Sequence, residues 1–223
     1  MLIQRSRAGV DHAREDDQAP AMANISYLLA SPVLGEAWLV DPAWDVPGLL
    51  RQVADLGCRA TRVLLTHTHA DHCGGFIFGV QIPGLDDLEK ILGLSVPVSV
   101  HPAESEALLK TFPELEKVVE PLDEAVPLRL GDETVDWIHA PGHSPGSVCY
   151  RADGCIFTGA VLFARGCGRV DLPGGDPRAM VASLRLLRDE DPELRLCPGH
   201  SYGKTDGATL GGALAALGEL PFS

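Results

Sequence analysis

Residues 66–75 read THTHADHCGG. His67, His69, His72 and Asp71 crowd into six positions beside Gly74 and Gly75. A fold requirement alone does not explain such a run. In extended chain, residues two apart leave the same side, so the rings of His67 and His69 share a face. Two imidazoles on one face suit a single zinc-like ion. Asp71 and His72 follow at the turn and can face a second ion. Gly74 and Gly75 are expected to turn the backbone sharply and open a helix. Just upstream, TRVLLT (61–66) is a continuous β-branched and aliphatic run, which reads as a buried strand. The motif therefore sits beyond a strand's carboxyl end, where functional loops of layered α/β folds are found.

Working outward, ANISYLLA (23–30) and EAWLVD (36–41) read as strands joined by SPVLG, and PGLLRQVADLG (47–57) as a helix ending at glycine. Helices are expected at 84–93 and 103–112, with a strand at 97–101 between them. A second group of strands follows at 127–130, 134–140, 147–152 and 154–159. DPRAMVASLRLLRD (176–189) opens with Asp-Pro, a good helix start, and ELRLCPG (193–199) is a strand running into a loop. TLGGALAALGEL has the composition of a weak terminal helix. Residues 1–21 are polar and read as an irregular arm, leaving 22–223 as a single domain. FIFGVQIPGLDD (76–87) suits either a lid or ordinary packing.

Composition narrows the function. The 223 residues are 45% hydrophobic, enough for a sizeable core, and 24 Gly with 17 Pro imply many turns. A net charge of −13 argues against a nucleic-acid backbone or an anionic membrane as the main partner. Apolar runs are too short to span a bilayer, and MLIQRSRAGVDHAREDD has no apolar core of a leader. Cys58, Cys73, Cys149, Cys155, Cys167 and Cys197 form no CxxC pair and read as reduced thiols, which implies a cytoplasmic protein. Oligomeric state, a homodimer included, is not readable from the chain.

Two later loops repeat the pattern of a histidine in a constrained turn after a strand. HAPGHSPGS (139–147) sets His143 between two Pro-Gly pairs, and CPGHSYG (197–203) presents His200 similarly. His12, His101 and His139 read as structural.

With these residues in place, the chain resembles the metallo-β-lactamase superfamily over roughly residues 22–203. The resemblance is carried by VDPAWD (40–45), THTHADHCGG (66–75), APGHSPGS (140–147), FTGAVLFARGCGRVDLPGGD (157–176) and CPGHSYG (197–203). It implies an α/β fold, a four-layer αββα sandwich with metal ions in a cleft at one edge. It assigns His67, His69 and His143 to a first metal site and Asp71, His72 and His200 to a second, with Asp41 bracing the histidine loop from behind. Zn2+, one or two ions, is the implied cofactor, with Fe2+ as the alternative. The stretch after FTG is most similar to the glyoxalase II-like and persulfide dioxygenase-like branch.

One residue departs from the pattern. Residues 157–160 read FTGA where the family carries FTGD, so Ala160 stands at the place of the aspartate that bridges two ions in dinuclear members. In the iron dioxygenases the same aspartate is a ligand, so Ala160 weighs against that activity. A natural variant and an engineered silencing substitution would look alike. The resemblance implies a hydrolase acting on a small thioester through metal-bound hydroxide, with Asp71 orienting the water or accepting its proton as well as ligating. The alternatives are a mononuclear iron persulfide dioxygenase and a metal-poor, inactive relative. Arg165, Arg169, Tyr202 and Lys204 flank the metal loops and are candidates for binding an anionic small-molecule substrate. The chain ends twenty-three residues after His200, so the helical extension of glyoxalase II is expected to be missing.

Overall fold

The computed structural model describes residues 1–77, 79–93, 95–203 and 206–218. The chain divides into two compact units, Met1–Thr134 and Val135–Ser223. Each mixes strands and helices, the α/β class expected.

The first unit carries β1 (Leu2–Arg7), α1 (Ala19–Met22), β2 (Ile25–Ser31), β3 (Glu36–Val40), α2 (Val46–Asp55), β4 (Arg59–Leu64) and α3 (Ala70–Cys73). It continues through β5 (Gly75–Ile77), β6 (Val80–Ile82), α4 (Leu85–Leu92), β7 (Val98–Val100), α5 (Pro102–Thr111), β8 (Val119–Pro121) and β9 (Leu128–Leu130). Its main sheet has the order β1-β2-β3-β4-β7-β8. The first two pairings are antiparallel and the remaining three parallel. Parallel neighbours need a crossover, and α2 and α5 lie in the β3-to-β4 and β7-to-β8 connections. Six of the seven β2 residues are buried, as both faces of a central strand require. Helix starts follow local chemistry. Asp45 accepts Gly48 N at 2.8 Å at the start of α2, and the His101 ring accepts Ala103 N at 3.2 Å at the start of α5.

Two expectations for this unit need correction. The N-terminal segment is not an irregular arm. Leu2–Arg7 pairs with β2 over six residues, and Ser6 is fully buried against the His12 ring at 3.0 Å. A strand at the edge of a sheet draws its stability from the partner's backbone, so its own polar side chains conceal it. The glycines of the histidine motif close a helix rather than opening one. The short helix α3 comes first and Gly74, with φ of 89°, ends it. The stretch that suited either a lid or ordinary packing opens with the β5–β6 hairpin, in which Gly75, Phe76 and Ile77 pair with Ile82, Gln81 and Val80.

The division between units falls in β10 (Glu133–His139). The second unit continues with β11 (Val148–Ala152), β12 (Cys155–Gly159), α6 (Pro177–Leu186), β13 (Arg195–Pro198) and α7 (Leu210–Leu217). Its strands run in the order β13-β12-β11-β10. The β12–β13 pair is parallel, with α6 in the connection. Asp176 caps α6 by accepting Arg178 N and Ala179 N at 2.7 and 3.1 Å. Met180, Leu184, Leu187, Leu196 and Leu210 form the apolar core of this unit. Each such buried side chain stabilises by roughly 1.5–3 kcal/mol. Among the described residues, no helix is long and apolar enough to cross a membrane.

Candidate metal centre

In the first unit, β3 and β4 end side by side, which sets Asp41 against the histidine motif. Asp41 N donates to Leu64 O at 3.1 Å, and Asp41 O accepts Ser26 Oγ at 2.7 Å. Its φ is 49°, a backbone state that costs a non-glycine residue energy and is tolerated where surroundings enforce it. The carboxylate serves three donors. Thr66 N reaches Oδ1 at 2.7 Å, Thr66 Oγ1 donates to Oδ2 at 2.6 Å, and His72 Nδ1 lies 2.9 Å from Oδ2.

These bonds decide tautomers. Thr66 Oγ1 gives its proton to Asp41, so it accepts from His67 Nδ1, 3.1 Å away. His67 and His72 thus both carry the proton on Nδ1 and hold a lone pair on Nε2, the arrangement of metal-ligating histidines. Asn24 Nδ2 lies 3.4 Å from His72 Nε2 and donates to Asp71 Oδ2 at 2.9 Å. Asn24 is itself oriented by Trp44 Nε1, which donates to its Oδ1 at 3.1 Å. His67 packs its ring 4.7 Å from that of His69 and 4.2 Å from that of His72. One donor atom from each of Asp41, His67 and His72 falls within 4.8 Å of the others.

The electrostatics divide the histidines. Burial and the Asp71 charge pull oppositely on both. For His69 burial wins and lowers its pKa. For His72 burial also disfavours the charged ring, but the Asp71 charge and the Asp41 hydrogen bond outweigh it, so its pKa is raised. Asp41, His67, Asp71 and His72 are each at least nine-tenths buried. A carboxylate and imidazoles gathered out of water form a donor set that suits a divalent cation.

In the second unit, His143 is held by a backbone atom. Its Nδ1 lies 2.8 Å from Arg169 O, which again leaves the lone pair on Nε2. The GCGR segment is therefore a support for this ring. Gly168 is packed so closely that a Cβ there would lie 1.9 Å from Ala160 O and 3.0 Å from His143 Nδ1. Ala160 is buried at the end of β12, and its methyl group offers no ligand atom. His200 follows β13, whose Gly199 N donates to Gly159 O at 2.7 Å. The Tyr202 ring stacks on His200 at 4.8 Å with an interplanar angle of 8°, and Phe163 meets His200 edge-on at 5.6 Å.

The expected substrate residues fare unequally. Tyr202 is exposed while its ring supports His200. Arg165 is exposed and lies along the Gly203 backbone. The Arg169 guanidinium is paired with Asp171 at 2.8 and 2.9 Å, which holds the Asp171 carboxyl down at about 2. Lys204 lies outside the described residues. The structural readings of His12, His101 and His139 agree with their bonds to Ser6, Ala103 N and Pro145 O. Sequence reasoning missed Asn24, Trp44 and the Arg169 carbonyl. It also missed Glu104, a buried carboxylate bonded to Thr68. NISY, immediately before a strand, was the only available signal for Asn24.

Two loops of oriented imidazoles backed by carboxylate and carbonyl acceptors define a metal-binding α/β protein. A sequence profile of the metallo-beta-lactamase superfamily matches residues 25–200, and the chain belongs to that superfamily. It is 28% identical over 188 residues to the probable polyketide biosynthesis zinc-dependent hydrolase PksB of Bacillus subtilis, covering 84% of this chain and 77% of that one. It is 29% identical over 182 residues to the hydroxyacylglutathione hydrolase GloC of Haemophilus influenzae, covering 77% and 82%. Among solved structures, it superimposes on ETHE1 from Myxococcus xanthus with a TM-score of 0.71 at 24% identity, over 92% of this chain and 77% of that one. It matches TTHA1623 in a di-iron-bound form with a TM-score of 0.65 at 31% identity, over 91% and 96%. The expected fold is thus the observed one.

Proposed function

We propose that this chain is a metal-dependent hydrolase of small thioesters, with zinc as its cofactor and an anionic substrate such as a glutathione-type thioester. His67, His69 and His143 would hold one cation. Asp71, His72 and His200 would hold a second, more weakly because Ala160 offers no bridge. The observation that supports this most directly is that the Nδ1 atoms of His67, His72 and His143 each have an acceptor, at 3.1, 2.9 and 2.8 Å. This leaves a lone pair on each Nε2, as a ligating imidazole requires.

A bound divalent cation lowers the pKa of coordinated water towards about 7 and polarises a carbonyl oxygen. The chain's own residues do the rest. Asp41 keeps His67 and His72 in the required tautomer. Asn24 holds one oxygen of Asp71 at 2.9 Å, so the carboxylate is fixed in place to orient a water or accept its proton. The Arg169 carbonyl fixes the His143 ring.

The names of PksB and GloC support a hydrolase, and that of GloC an acyl-thiol substrate. The test is metal analysis of the purified chain combined with turnover of S-lactoylglutathione, a β-lactam and glutathione persulfide under oxygen. Zinc with thioester hydrolysis alone supports the proposal. Iron with oxygen uptake on the persulfide replaces it with the dioxygenase reading, and no metal with no turnover replaces it with a non-catalytic role.

A further inference from the structure

We infer that Glu104 is a positioning residue for the first cation. It grips Thr68, the residue between His67 and His69, and so fixes the face on which the two rings are presented. The inference rests on the proposed assignment of His67 and His69 to one cation.

The alternation of an extended loop carries it. The rings of His67 and His69 lie together, 4.7 Å between centroids, so they leave one side of the chain. His69 keeps extended backbone, with φ of −66° and ψ of 144°. Thr68 therefore leaves the opposite side. There its Oγ1 donates to Glu104 Oε2 on α5, thirty-six positions away. The loop's main chain is tied to α3, with Cys73 Sγ 3.4 Å from Thr68 O and Cys73 N donating to His69 O at 3.2 Å. Those bonds leave the chain able to roll about its own axis, and the rings would roll with it. The Thr68–Glu104 bond opposes that roll, because it holds the side chain that points away from the rings.

Glu104 is costly where it stands. It is 4% exposed, and a buried carboxylate is stable only when charge and hydrogen bonds compensate it. Two compensations are visible. Glu104 sits in the first turn of α5, where the helix dipole favours an anion, and it takes the Thr68 proton. A cation on His69 would be a third. Burial lowers the His69 pKa, and the charges of Asp71 and Glu104 oppose it, so the Glu104 charge reaches that ring. Three neutral imidazoles make up the first ligand set, and a carboxylate behind one of them adds charge that the set itself lacks. Closing the first turn of α5 would account for a glutamate here, but not for its bond to the histidine loop.

The experiment compares the full chain with Glu104→Gln, which removes the charge, Thr68→Val, which removes the bond, and Thr68→Ser, which keeps the hydroxyl. Zn2+ affinity is read by competition against a chromogenic chelator. The ligand field is read from the visible spectrum of the Co2+-loaded chain, and the thermal midpoint from metal-free protein. Glu104→Gln and Thr68→Val are each expected to weaken the tighter equivalent about 10-fold and to shift the Co2+ bands. Thr68→Ser should return affinity to within about twofold of the parent and restore the bands. A role confined to α5 would lower the metal-free midpoint and leave affinity and bands unmoved, which overturns the inference. Thr68→Val with unchanged affinity and bands overturns it as well, and decides the matter even if the Glu104 variant fails to fold. An unsubstituted chain that takes up no divalent cation would sink the metal-centre reading itself, and this inference with it.

Discussion

Asp41 Oδ2 lies 2.9 Å from His72 Nδ1, and the two residues are thirty-one positions apart in sequence. The same carboxylate reaches His67 through Thr66. One residue in a strained backbone conformation therefore orients two metal-loop imidazoles.

Asp41→Asn keeps the size of the side chain and tolerates the positive φ. It removes the charge and leaves its NH2 group facing at least one of the three donors that the carboxylate serves. Cation affinity is expected to fall about 10–100-fold with the fold intact. Competition against a chromogenic chelator measures this, with circular dichroism as the folding control. Affinity unchanged within twofold would remove Asp41 from its supporting role.

Cation uptake should depend on pH through His72. Its pKa is raised in the folded, metal-free chain because the Asp71 charge and the Asp41 bond outweigh burial. The proton therefore stabilises the metal-free fold below the unfolded value, about 6.5. That contribution is lost as pH rises through the higher folded value. A cation competes with this proton, so affinity should rise across the same interval. In Asp41→Asn the rise should shift to lower pH. Titrations between pH 5.5 and 8.5 in which Asp41→Asn leaves the profile unmoved would show that His72 does not set it.

Gly168→Ala forces a Cβ against Ala160 O at 1.9 Å, a backbone atom that cannot rotate away. A loss of about 1–3 kcal/mol in urea unfolding is expected. Cation affinity should fall with it, because the same Cβ meets the His143 ring. A stability change under ~0.5 kcal/mol would show that the segment yields without cost.

Ala160→Asp places a carboxylate where only 3% of the residue is exposed. Without metal the variant should be less stable, since a buried charge lacks a partner. With metal, the thermal midpoint should rise by more than in the parent chain, metal content should approach two equivalents, and thioester hydrolysis should increase. Equal metal content in both proteins would count against the bridging position.

The sequence by itself determined most of the longer secondary elements and the chemistry of the loops. Covalent geometry makes periodicity local, so β2, α2, β4 and α6 could be read within a few residues of their ends. The spacing of His67, His69, Asp71 and His72 needed no tertiary information either. What the chain folds against them did. β1 became visible only through its pairing with β2, because an edge strand borrows its order from a partner. Hydrogen bonds that brace the site join distant residues: Asp41 and Thr66 are 25 positions apart, and Asn24 and Asp71 are 47 apart. The one on His143 is a main-chain carbonyl, which no side-chain pattern announces. The Arg195–Cys155 hydrogen bond likewise depends on the register of two parallel strands forty positions apart, which only long-range pairing decides.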